Sequence, residues 1–172
     1  MRVGEKILAT LEKDRTDLNN GSSPYLVEIK EQGLKIGTEL IDLDRLGCVL
    51  CQITFQDEEA DAQPLDANRG LEHMARQIGE RITYLLEGLA LVEWDKNSST
   101  LLMRSQPPES NSRYIGYYEL LLSQGPYLAL TRYRYDRGAG CRSQEPINLT
   151  REVFVRLIDD LATIIKTPEP EQ

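Results

Sequence analysis

The segment Arg113–Tyr135, RYIGYYELLLSQGPYLALTRYRY, decides the fold. Two runs rich in tyrosine and leucine flank Ser123-Gln124-Gly125-Pro126, and a glycine beside a proline is tight-turn chemistry. So short a connection joins antiparallel strands, because a parallel pair needs a crossover of about a dozen residues or more. The reading is a hairpin of two strands, Arg113–Ser123 and Tyr127–Tyr135. Along the second, Tyr127, Tyr133 and Tyr135 alternate with Leu128, Leu130, Arg132 and Arg134. One face then carries tyrosines, and the other grades from leucine into arginine toward the strand end.

The same two-residue period appears on both sides of this hairpin. Upstream, Ala90, Val92 and Trp94 alternate with Leu91, Glu93 and Asp95, and Lys96-Asn97-Ser98-Ser99 turns the chain into Thr100–Arg104. Nearer the N-terminus, Tyr25–Lys30 and Leu34–Leu43 flank Gln32-Gly33 as another hairpin, and Gly47–Phe55 is an apolar third strand. Between these groups the period changes. Leu71, Met74, Ala75, Ile78, Ile82, Leu85, Leu86 and Leu89 recur at spacings of three and four, which predicts a helix over Asn68–Glu87. A short amphipathic helix over Arg2–Asp14 opens the chain, and a helix capped by Thr150 and running to Lys166 closes it. The order α-βββ-α-ββββ-α predicts an α+β fold: an antiparallel sheet of six to seven strands packed against the central and C-terminal helices. Residues 1–166 read as a single domain with a possible subdomain break at the acidic loop 57–66, and 167–172 as a disordered tail.

Composition sets outer limits. A chain of 172 residues with 40% hydrophobic and 28% charged content has the make-up of an ordinary globular domain. No apolar run approaches the roughly 20 residues that span a bilayer, and the N-terminus lacks a signal-peptide core, so the expected setting is cytoplasmic, without membrane association. Three cysteines in that setting read as free thiols. A net charge of −8 disfavours nucleic acid as a partner, because phosphate affinity comes from lysine and arginine contacts. Charge is unevenly spread, however: Arg113–Arg142 holds five arginines against Glu119 and Asp136, and six of the eight tyrosines lie between Tyr114 and Tyr135.

Catalytic motifs are weak. Cys48 and Cys51 have the spacing of a redox or zinc pair but lie in a strand pattern, where positions three apart point to opposite faces. Cys141 and His73 sit on separate elements, short of the roughly four clustered ligands zinc needs, so no metal or cofactor is expected. His73, the sole histidine, falls with Arg76, Gln77 and Glu80 on the polar side of the central helix. Glu119 is the most notable carboxylate; on a buried face it needs a cation, for which Arg132 or Arg134 on the next strand is available. The loop Asp57–Asp66 lacks the spacing of a calcium loop, and Gly138-Ala139-Gly140 lacks that of a phosphate cradle.

Tyrosine and arginine are enriched where proteins meet proteins, since both bury large area and retain polar handles. The leading expectation is a non-enzymatic domain that binds another protein or itself, as a homodimer, through Tyr117, Arg132, Tyr133, Arg134, Tyr135 and Arg137. The competing one is an enzyme with a small-molecule pocket between central helix and sheet, using Glu119, Arg132 and His73. In its order of elements the chain is similar to the small dimeric chaperones of bacterial type III secretion, apart from an extra strand pair. That resemblance implies a dimeric, polypeptide-binding role.

Overall fold

The computed structural model describes residues 1–18, 24–60 and 67–167. Residues 19–23, residues 61–66 of the expected subdomain break and residues 168–172 of the expected tail lie outside the described residues. Helix α1 (Val3–Leu18) leads into strands β1 (Tyr25–Glu31), β2 (Leu34–Leu43) and β3 (Gly47–Asp57). Helix α2 (Ala67–Arg81) follows, then β4 (Leu89–Asp95), β5 (Thr100–Ser105), β6 (Glu109–Ser110), β7 (Tyr114–Ser123), β8 (Tyr127–Asp136), β9 (Cys141–Glu145), β10 (Ile147–Thr150) and α3 (Arg151–Lys166). The fold is α+β, with every strand pair antiparallel.

Among the described residues ten strands form the sheet, where six to seven are expected. The additions are short: β6 has two residues, and β9 (CRSQE) and β10 (INLT) have too little apolar alternation to read as strands. The main path runs β1-β2-β3-β8-β7-β5-β4. β8 pairs with β3 over Tyr127–Thr131 and with β9 over Arg132–Asp136, while β3 pairs with β10 over Gly47–Leu50. β9 and β10 thus fill the fork where β3 and β8 diverge. Cys51 is skipped in the β2–β3 register at this fork, and the Gln144 side-chain amide donates to its carbonyl at 2.9 Å. This β-bulge returns both Leu50 and Ile53 to the core.

The three described helices pack on one sheet face. Ile7 and Leu11 of α1, Leu71 and Ile78 of α2, and Phe154, Leu157 and Ile158 of α3 are buried with Phe55, Leu120, Leu128 and Leu130. α1 crosses α3 closely at Gly4, where a Cβ would stand 2.4 Å from the Val155 carbonyl oxygen, and the Gly4 N–H donates to Asp159 Oδ1 at 2.8 Å. The Thr150 hydroxyl caps α3 by accepting from the Val153 N–H, as the sequence predicts. At the other end of α3, Lys166 bonds Asp57 at 2.9 Å and Glu59 at 3.0 Å.

The central helix is shorter than its apolar periodicity suggests. It ends at Arg81, and residues 82–88 run irregularly, although Ile82 and Leu85 remain buried. The reason is tertiary: Tyr84 donates to Asp160 Oδ2 at 2.8 Å, and Glu87 reaches the Arg132 guanidinium. Among the described residues no helix is long and apolar enough to cross a membrane.

Candidate protein-binding face

Alternation along β7 and β8 sends Tyr118, Leu120, Leu128, Leu130 and Arg132 toward the helices, and Tyr117, Glu119, Leu121, Tyr133 and Tyr135 to the opposite face. No described helix covers that second face. Tyr117 and Tyr133 stand opposite each other across β7 and β8, with ring centroids 6.1 Å apart and planes tilted by 35°. Arg104 from β5 lies over the Tyr117 ring at 5.4 Å, and Arg142 from β9 lies over the Tyr133 ring at 4.1 Å.

Glu119 joins the two ends of this stack. Its Oε2 accepts from Arg104 Nε at 2.9 Å and from Arg142 Nη1 at 3.0 Å, and Arg142 also donates to the Tyr117 hydroxyl at 3.4 Å. The hydrogen bond to Tyr117, followed by the Glu119 charge, pushes the Arg142 pKa up. The cluster is a plate of two half-buried rings with two guanidiniums against one carboxylate, so it keeps a positive surplus. Beside it the half-buried cross-strand pair Leu121 and Leu102 adds apolar surface. Such a plate can stack on planar groups, hydrogen-bond through the tyrosine hydroxyls and pair with carboxylates.

The structure divides the residues that the sequence grouped together. Tyr117, Tyr133 and Tyr135 share the open face. Arg132 is on the helix-covered side, with its side chain 6% exposed. It bonds Glu87 at 3.0 and 3.1 Å and Glu109 at 3.0 Å, approaches Glu145 at 3.4 Å and covers the Tyr118 ring at 4.5 Å. Arg134 pairs with Glu145 and lies over the Tyr114 ring at 4.9 Å. Arg137, in the β8–β9 turn, donates to the Ser110 hydroxyl at 3.0 Å. Glu119 does find cations, but they are Arg104 and Arg142 rather than Arg132 or Arg134.

The pocket residues do not converge. Glu119 and Arg132 are on opposite faces of the sheet, and His73 lies on α2, bonded through Nδ1 to Arg76 at 3.1 Å and through Nε2 to Gln77. Cys48 is buried and Cys51 half-buried, and among the described residues no cluster of histidine, cysteine or carboxylate side chains is arranged to hold a metal. Sequence reasoning missed Arg104 and Arg142 as members of the site. The available signal was register: Arg104 pairs with Glu119, and the β8–β9 turn returns Arg142 beside Tyr135. No family model, curated protein or solved structure matches this chain.

Proposed function

We propose that the chain is a non-enzymatic protein-binding domain whose docking surface is the helix-free sheet face, and that its first partner is a second copy of itself. The observation that supports this reading is the Arg104–Tyr117–Tyr133–Arg142 stack, held by Glu119 on a face that no described helix covers. Rings fixed at such a surface lose little conformational freedom when a partner covers them. Self-association is favoured by charge placement. Glu39 on β2 and Glu93 on β4 belong to the same face and form no ion pair among the described residues, while Arg142 is 44% exposed. A patch carrying both charges can pair with its own copy across a twofold axis.

The test is solution mass by light scattering, comparing wild type with Tyr133→Ser/Arg142→Ser at matched thermal stability. A wild-type dimer that becomes a folded monomer supports the reading. A dimer unchanged by the double substitution removes this face from self-association, and a wild-type monomer refutes the second copy as partner. Arg132 is unsuited to the test, because its guanidinium holds the core side of the sheet together.

A further inference from the structure

Strand β4 ends the sheet, and among the described residues its outer edge pairs with nothing. Its side chains are unusually apolar for such a position: Leu91 is 49% and Val92 44% exposed, with Leu86 at 79% just upstream. Between this edge and α2 runs a groove of about 350 Å³ whose floor is Ala75, Gly79, Leu89, Leu101 and Met103, with Leu91 at its lip. Gly79 lines the groove without a side chain, and a Cβ there would stand 3.4 Å from the Leu89 carbonyl oxygen, an ordinary contact. The β-bulge between Leu91 and Glu93 kinks the edge, a device that discourages indiscriminate strand pairing and leaves selection to side chains.

Charge identifies the occupant. On the groove side α2 presents Glu72 and Glu80 against Arg76, whose guanidinium is bonded to His73. On the other side of β4 are Glu93 and Asp95, and the hydrogen bonds from Ser98, followed by that from the Asn97 N–H, hold the Asp95 carboxyl below its usual range, so it stays ionised. A strand added to this edge would direct alternate side chains into an apolar groove and toward carboxylates. A second copy of β4 would bring Glu93 and Asp95 close to their own counterparts, which is unfavourable.

We infer that the β4 edge is a second binding site, distinct from the tyrosine-arginine stack although Glu93 and Asp95 lie on the same sheet face, and that it takes an extended peptide in which apolar and basic residues alternate. Such a peptide adds an eleventh strand, seats an apolar side chain over Gly79 and Met103, and places its cations beside Glu93 and Asp95. Trp94, the only tryptophan in the chain, lies on β4 and reports occupancy directly.

The probe is the synthetic peptide acetyl-KLKVKLK-amide, titrated into the full chain at low salt while Trp94 emission is followed. The expected result is a saturable change, no response to acetyl-ELEVELE-amide, and weakening by about tenfold or more in Leu91→Lys. Glu93→Lys, an exposed substitution that spares the groove, is expected to weaken binding several-fold, and Tyr133→Ser/Arg142→Ser to leave it unchanged. Absence of saturation, equal response to the acidic peptide, or wild-type affinity in both folded β4 variants overturns the inference. Loss of binding in Tyr133→Ser/Arg142→Ser alone moves the peptide to the tyrosine face and overturns it as well.

Discussion

Arg132 and Glu87, 45 residues apart in the chain, meet as a two-pronged ion pair on the core side of the sheet, Nη1 to Oε2 at 3.0 Å and Nη2 to Oε1 at 3.1 Å. Both side chains are at least nine-tenths buried. Burial, the largest single influence, opposes the guanidinium charge, but the hydrogen bonds to Glu87 together with the charges of Glu87 and Glu145 outweigh it and push the Arg132 pKa up. Removing one member of such a pair strands the other charge, whereas replacing both with apolar groups is often tolerated. Arg132→Ala is therefore expected to cost about 3–5 kcal/mol, while Arg132→Met/Glu87→Leu recovers a measurable part of that loss. Urea denaturation of the three proteins checks this, and a double variant no more stable than the single one would refute the account.

At Gly4 the requirement is steric. Gly4→Ala places a methyl 2.4 Å from the Val155 carbonyl oxygen and 2.8 Å from its Cα, both backbone atoms that cannot rotate aside. Helices α1 and α3 must separate, at an expected cost of about 1–3 kcal/mol. At about 2–4 °C per kcal/mol for a chain of this size, differential scanning calorimetry should resolve the shift. A melting temperature equal to wild type would mean that the two helices have slack at this crossing.

The three thiols should react in a fixed order. Cys141 is exposed. Cys51 is half-buried, and burial followed by the Glu39 charge pushes its thiol pKa up. Cys48 is buried, and burial pushes it up to about 12. Since the thiolate is the nucleophile, iodoacetamide at pH 8 should label Cys141 first, Cys51 more slowly and Cys48 only in denaturant. Mass spectrometry of timed samples shows the order, and early labelling of Cys48 would contradict its burial.

Acid should weaken the β8–β9 turn. The backbone N–H groups of Ala139 and then Gly138 donate to Asp136 and hold its carboxyl below the usual 3.8. A carboxyl whose pKa is lower folded than unfolded contributes stability that is present above the unfolded value and lost as pH falls through the folded one. Asp136→Asn keeps an acceptor at the turn but does not titrate. Its stability should fall less steeply than that of wild type between about pH 5 and pH 2, as measured by denaturant unfolding across that range. Parallel curves would show that Asp136 does not contribute to the acid response.

The hairpin around Gly125-Pro126, the tyrosine-arginine alternation on β8 and the Thr150 cap were all legible, because each depends on residues within one element or one turn. The end of α2 was not. The apolar spacing continues through Leu85 and Leu89, and only the reach of Glu87 to Arg132 and of Tyr84 to Asp160 explains why the helix stops at Arg81. β9 and β10 were hidden for a related reason: CRSQE and INLT have little apolar pattern of their own and become strands by occupying the fork between β3 and β8.

The sequence by itself determined the α+β class, the order of the major elements and the separation of tyrosine from arginine across β8, since strand periodicity, turn chemistry and charge are properties of neighbouring residues. Tertiary structure decided what those side chains meet. It buried Arg132 among Glu87, Glu109 and Glu145, and it brought Arg104 and Arg142 to Glu119 beside the stacked tyrosines. Partners contributed by β5, β6, β9 and the loop after α2 are chosen by strand register and packing across the whole sheet, which no local pattern encodes.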